Sequence, residues 1–191
     1  MKVLAVEDGG FSKRGVGRRS KALLLAVLTS QSYRIEKILY TWIQVDGLDA
    51  TDKLIEMAKQ EKETPNLILL ASLCYAGFNI IDPTRIQKEL NIPVVAINPK
   101  KPRNSAVTEA LRRHFNDWRY RVNILRGAGK PVRIKLSGDR TIYFYHFGII
   151  KSEAEKFIRE STIFGKRPEP LRIARILAHE ISKPGWVSSL R

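Results

Sequence analysis

Residues 3–6 form a short apolar run that opens directly into Glu7-Asp8-Gly9-Gly10, placing two carboxylates where an extended segment ends and the backbone is free to turn. A carboxylate at a strand end is a hard oxygen donor suited to Mg²⁺, or to Mn²⁺, which needs only one or two such groups when a substrate phosphate supplies further oxygens. Successive strand side chains face opposite sides of a sheet, so Asp8 rather than Glu7 is the expected ligand, unless the strand has already broken at the glycines. Its candidate partners are Asp46 and Asp49, whose ordinary readings are a turn aspartate and a helix N-cap. The next apolar strand, 67–70, ends in Ala71-Ser72 and supplies no second carboxylate. Cys74 is too soft for Mg²⁺ and reads as a small buried side chain.

The chain of 191 residues carries 34 Lys and Arg against 19 Asp and Glu, a formal charge of +15 at neutral pH. A polyanion, nucleic acid first, is the expected partner. The cations cluster. Lys13, Arg14, Arg18, Arg19 and Lys21 follow the acidic turn and are interleaved with Gly15 and Gly17, while Lys100, Lys101 and Arg103 leave the end of an apolar strand between Pro99 and Pro102. Two strand-end loops of this kind could flank one crevice and hold phosphates. A single cysteine excludes an internal disulfide and suits a cytoplasmic location, and no run is long and apolar enough for export or membrane insertion.

These groups need elements to position them. Residues 2–7, 22–28 and 35–45 read as three extended segments with short connections, hence antiparallel neighbours. A helix over 52–59, a buried strand at 67–70, a helix opened by Asp82-Pro83 and ending at Leu90, a strand over 93–97 and a helix capped by Ser105 follow. This is the element order of the ribonuclease H-like fold, an α/β mixed five-stranded sheet with helices on both faces. The remainder adds a helix over 117–126, a hairpin of 132–136 with 141–147, a helix begun by a Ser152/Glu155 capping box, and a last helix from Pro170 with Ile173, Ile176, Leu177 and Ile181 inward and Arg172, Arg175 and His179 as a basic ridge. The length and the absence of a linker predict one domain.

The segments Val6-Glu7-Asp8-Gly9-Gly10-Phe11, Val45 to Thr51, Ala76-Gly77-Phe78-Asn79 and Gly165 to Arg172, supported by Ala110-Leu111, His114-Phe115 and Trp118, together resemble an archaeal family related to endonuclease V and named endonuclease dU. The likeness covers nearly the whole chain. It implies a ribonuclease H-like fold and Mg²⁺-assisted cleavage of DNA at a deaminated base, uracil being the assigned lesion. The family's first aspartate falls on Asp8, and its Asp-Gly-x-Asp-Ala-Thr element on residues 46–51. A strand-end Asp-Gly of the family falls on Ala71 and Ser72, a departure that removes a metal ligand. The expected catalytic set is therefore Asp8 with Asp46 or Asp49, Asp8 and Asp46 holding the metal. The expected nucleic-acid contacts are Lys13, Arg14, Arg18, Arg19, Lys100, Lys101, Arg103, Lys166 and Arg172, and Gly77-Phe78-Asn79 border a pocket for an everted base. The rival expectation is a protein of the same fold that binds nucleic acid and cuts it poorly or not at all.

Overall fold

Alternation of branched apolar residues dictates the centre of the molecule. In the computed structural model, which describes residues 1–11, 20–61 and 63–183, β1 (Val3–Asp8) pairs antiparallel with β2 (Lys21–Thr29), and β2 antiparallel with β3 (Ile35–Gln44). After α1 (Ala50–Lys59), β4 (Leu67–Leu70) lies parallel to β1. The ribbon of β5 (Cys74–Tyr75) and β6 (Asn79–Ile80) precedes α2 (Pro83–Leu90), and β7 (Val94–Asn98) adds to β4 in parallel. Then come α3 (Asn104–His114), α4 (Trp118–Gly127), the hairpin of β8 (Val132–Lys135) and β9 (Thr141–Phe147), α5 (Lys151–Ser161) and α6 (Glu169–Ile181). Parallel β1, β4 and β7 end together, so Asp8, Ala71 and the residues after Asn98 share one edge of the sheet.

The sheet order is β3-β2-β1-β4-β7-β9-β8. The five strands expected from the sequence are its first five, and the hairpin extends them to seven because β9 pairs antiparallel with β7 from Val94 opposite Phe147 to Asn98 opposite Tyr143. Side chains of even number such as Leu4, Val6, Leu24 and Leu70 pack beneath Leu54 and Ile55 of α1 and Ile86 of α2. Those of odd number such as Ala5, Leu25, Leu69 and Ile97 pack beneath Ala154 and Ile158 of α5 and Leu171, Ala174 and Ala178 of α6. Each fully buried aliphatic side chain contributes about 1.5–3 kcal/mol.

Two expected side-chain caps are not formed. Helix α3 begins at Asn104 with Ser105 already inside it, and α5 begins at Lys151 without the Ser152/Glu155 box. In α6 Leu171, Ala174 and Ala178 are buried and Ile173, Leu177 and Ile181 pack beside them as expected, while Ile176 is exposed. Small residues let α6 lie close against β1 and β2. A Cβ on Gly9 would stand 2.7 Å from the Ser182 Cβ and 3.0 Å from that of Leu23, and Ser182 Oγ accepts the Gly10 amide at 2.8 Å.

Candidate active site and nucleic-acid interface

The short ribbon β5–β6, which the sequence reading passes over, assembles the site. Its turn is Ala76-Gly77-Phe78, with positive φ at Ala76 (41°) and Gly77 (86°). The first conformation is uncomfortable for a residue with a Cβ, and it is held from both sides. Asp8 Oδ2 accepts the Ala76 amide at 2.6 Å, and the Ala76 carbonyl accepts the Asp46 amide at 2.8 Å. Asp46 Oδ1 in turn accepts the Phe78 amide at 2.8 Å. Asp8 and Asp46, 38 residues apart, thus bond amides two residues apart in one tight turn, and each bond occupies one carboxylate oxygen. Gly77 is required here, because a Cβ on it would sit against Asp46 Oδ1.

Asp49 is placed differently. Its two oxygens accept the Gln44 amide at 3.1 and 3.2 Å, and Oδ1 also accepts Asn79 Nδ2 at 2.6 Å. It stands at the N-cap position of α1 without capping through its side chain; Asn79 Oδ1 takes the Ala50 amide at 3.1 Å instead. Asn79 is fully buried and also donates to the Gln44 carbonyl at 2.9 Å. Asp49 and Asn79 therefore brace the 44–50 loop against the ribbon, and Asn79 does not line the neighbouring pocket.

Arg121 is the residue that sequence reasoning missed. Its side chain is 5 % exposed and uses all five donors: Nη1 to the Gly47 and Phe78 carbonyls at 2.9 and 2.6 Å, Nη2 to the Asp46 carbonyl at 2.9 Å, and Nε and Nη2 to Asp117 at 2.8 and 3.0 Å. The guanidinium also lies 4.3 Å above the Phe115 ring. An arginine on an exposed-looking helical face gives no sequence signal for this role. Between the braced loops opens a cavity of about 950 Å³ whose walls include Phe11, Asp46, Gly77, Phe78, His114, Phe115 and Arg121. Phe78 and Phe115 meet edge to face, with centroids 5.6 Å apart.

On the other face of the same edge lies Glu7. Strand alternation separates it from Asp8 as expected, yet the two carboxyls meet at the rim and influence each other. Burial pushes the Glu7 carboxyl up to about 7, Arg167 opposes this, Asp8 adds to it, and Arg175 pulls it down again. Burial also raises Asp8, against the stabilising amide of Ala76. Glu7 Oε2 is buried without a hydrogen-bond partner. Ala71, next to Glu7 across the β1–β4 pair, is a buried methyl, and its amide is shared by the Tyr75 hydroxyl at 3.0 Å and the Val6 carbonyl at 3.2 Å. The position where a second strand-end acid would stand is thus a sealed backbone joint.

The hard oxygens of Asp8 and Asp46 on one turn suit a divalent cation in kind, although among the described residues no three acids, histidines or cysteines gather closely enough to form a cage. Of the expected basic contacts, Lys100 and Lys101 line a cleft beside Arg167 and Arg175, while Arg103, at the N-cap of α3, stands outside it. Lys166 is exposed on the loop before α6, and Arg172 is paired with the buried Glu169 at 2.8 Å. Lys13, Arg14, Arg18 and Arg19 lie outside the described residues.

The family model for endonuclease dU matches residues 1–182. The chain belongs to the endonuclease dU family. A UPF0215 protein of Thermococcus kodakarensis is 35 % identical over 182 residues, covering 95 % of this chain and 92 % of that one. A crystal structure of a protein of unknown function from Archaeoglobus fulgidus superposes with a TM-score of 0.81 at 37 % identity, covering 94 % of this chain and 97 % of that one. Endonuclease V of Ciona intestinalis, crystallised with DNA containing an inosine, superposes with a TM-score of 0.61 at 12 % identity, covering 100 % and 87 %. This endonuclease dU member accordingly has the ribonuclease H-like fold of endonuclease V. Among its described residues no helix is long and apolar enough to cross a membrane.

Proposed function

We propose that this endonuclease dU member is a metal-assisted DNA endonuclease acting beside a deaminated base, deoxyuridine being the substrate its family name suggests. The observation that carries the reading is the joining of Asp8 and Asp46 on one turn at the mouth of an aromatic cavity. The family and the fold support a nuclease on nucleic acid, and the DNA seen with the Ciona enzyme supports DNA as the partner.

In this scheme Asp8 and Asp46 are fixed by the Ala76 and Phe78 amides, which orient their remaining oxygens toward the sheet edge. Mg²⁺ or Mn²⁺ held by them would lower the cost of charge developing on phosphoryl oxygens and of activating a water. Ala71, a buried methyl, offers no further oxygen. Phe78 and Phe115 present ring surface to an everted base, and the Asp46–Gly47 and Gly77–Phe78 backbones, locked by Arg121, supply fixed polar edges. Locked walls are what a base pocket needs, because a mobile wall would not discriminate one exocyclic group from another.

A nicking assay on duplexes containing uracil or inosine, with Mg²⁺ or Mn²⁺, tests the reading. The wild type should nick, and Asp8→Ala and Asp46→Ala should each lose at least about 100-fold in rate while still binding DNA. Equal nicking by Asp8→Ala would overturn the mechanism. The sealed methyl of Ala71 favours one second reading, a protein that binds the strand without cutting it; sustained metal-dependent turnover by the wild type removes that reading.

A further inference from the structure

The carboxyl edge of the sheet carries a second cleft, of about 450 Å³, on the face opposite the Phe78 cavity. It is lined by residues 98–102, Arg167 and Arg175, so among the described residues four cations and no acid face it. Strand β7 delivers Lys100 and Lys101, with Pro99 and Pro102 stiffening the segment that carries them. Helix α6 delivers Arg175, and the loop before it delivers Arg167.

The acids of α6 are committed elsewhere, Glu169 to Arg172 and Glu180 to Lys183. The carboxylate behind the cleft is Glu7, whose field reaches both arginines. Among the described residues, buried Arg167 Nε and buried Glu7 Oε2 each have no hydrogen-bond partner. An unpaired buried donor costs about 1–3 kcal/mol, and cations held together repel. An entering anion would relieve both. Guanidinium pairs favour oxyanions with several oxygens, and phosphate best matches this charge and fork geometry.

We propose that the cleft of Lys100, Lys101, Arg167 and Arg175 is a phosphate subsite, holding one backbone phosphate of the nucleic-acid strand on which the protein acts. The assignment to a strand rests on the nuclease reading; the assignment to phosphate does not. Glu7 and Asp8 are consecutive residues on opposite faces of β1, so the strand would cross the sheet edge at the acids themselves.

Binding of a short single-stranded oligonucleotide, followed by fluorescence anisotropy over a salt series without metal, provides the test. Lys101→Gln/Arg175→Gln should bind about tenfold more weakly, and the slope of log K against log salt should shrink by about 0.7, the amount for one phosphate contact on a single strand. Lys151→Gln/Lys156→Gln on α5, which removes equal charge, should change neither by comparable amounts. Equal effects of the two pairs would overturn the subsite. Independently of any variant, inorganic pyrophosphate should shift the Arg167 Nε–H resonance of the wild type. No shift there, with nicking intact, discards the subsite and spares the nuclease reading. A shift with no oligonucleotide bound at low salt discards the nuclease reading and leaves a phosphate subsite for a free nucleotide.

Discussion

Asp8 and Asp46 owe their proximity to a turn that only certain residues can make. At Gly77 a φ of 86° and the closeness of Asp46 Oδ1 leave no room for a Cβ. Gly77→Ala should therefore displace Asp46 and reduce nicking by at least about tenfold while leaving the melting temperature within a few degrees, since the turn is at the rim rather than in the core. Glu7 supplies a test that needs no substrate. Its carboxyl is raised from 4.5 to about 7 by folding, so the folded protein binds the proton more tightly than the unfolded chain. Stability from this group is fully present below pH 4.5 and is lost as pH rises through 7. Glu7→Gln, which keeps the shape and cannot ionise, should flatten the decline in unfolding free energy between pH 5 and pH 8 measured by urea denaturation. An unchanged slope would contradict the burial of that carboxyl.

Two elements hold the site by unlike means. Helix α4 contributes Arg121, which closes the 46–47 turn, the 77–78 turn and its own first turn at Asp117. Arg121→Ala strips partners from three carbonyls, with an expected cost of about 3 kcal/mol by denaturant titration. Arg121→Lys should recover little of it, because an ammonium cannot reproduce the fork. Helix α6 works by close packing instead. Gly9→Ala places a methyl 2.7 Å from the Ser182 Cβ and should cost about 1–3 kcal/mol by forcing α6 away from β1. The same shift moves Arg175 away from Glu7, so this variant should also weaken oligonucleotide binding.

Over the whole molecule the +15 charge sets how strongly a polyanion is drawn in, and its placement sets where. One face of the sheet edge carries an aromatic cavity braced by hydrogen bonds, the other a cleft of four cations, and the acids stand between them. A strand on which about four phosphates are neutralised should lose about 50-fold in affinity between about 50 and 200 mM salt, measurable by anisotropy. A salt-independent affinity would mean that the charge serves some other purpose.

The amino-acid sequence alone determined the layers. Short apolar runs such as Ala22–Leu28 and Leu67–Leu70, bounded by polar turns, read as buried strands and are strands, and Asp82-Pro83 caps α2 as read, Asp82 Oδ1 accepting the Thr84 and Arg85 amides at 3.0 Å. The family motifs likewise pointed to Asp8, Asp46, Gly77 and Phe78, because their residue types are local requirements of a turn or a strand end. Tertiary structure alone decided which of these cooperate. Asp49 and Asn79 brace a loop, Arg121 carried no pattern, and Glu7, Arg167 and Arg175, legible singly in an acidic pair, a family segment and a basic ridge, gave no sign that they face one another. Their roles come from long-range burial and partner choice, since a donor or charge acquires its function from what it faces once water has been removed.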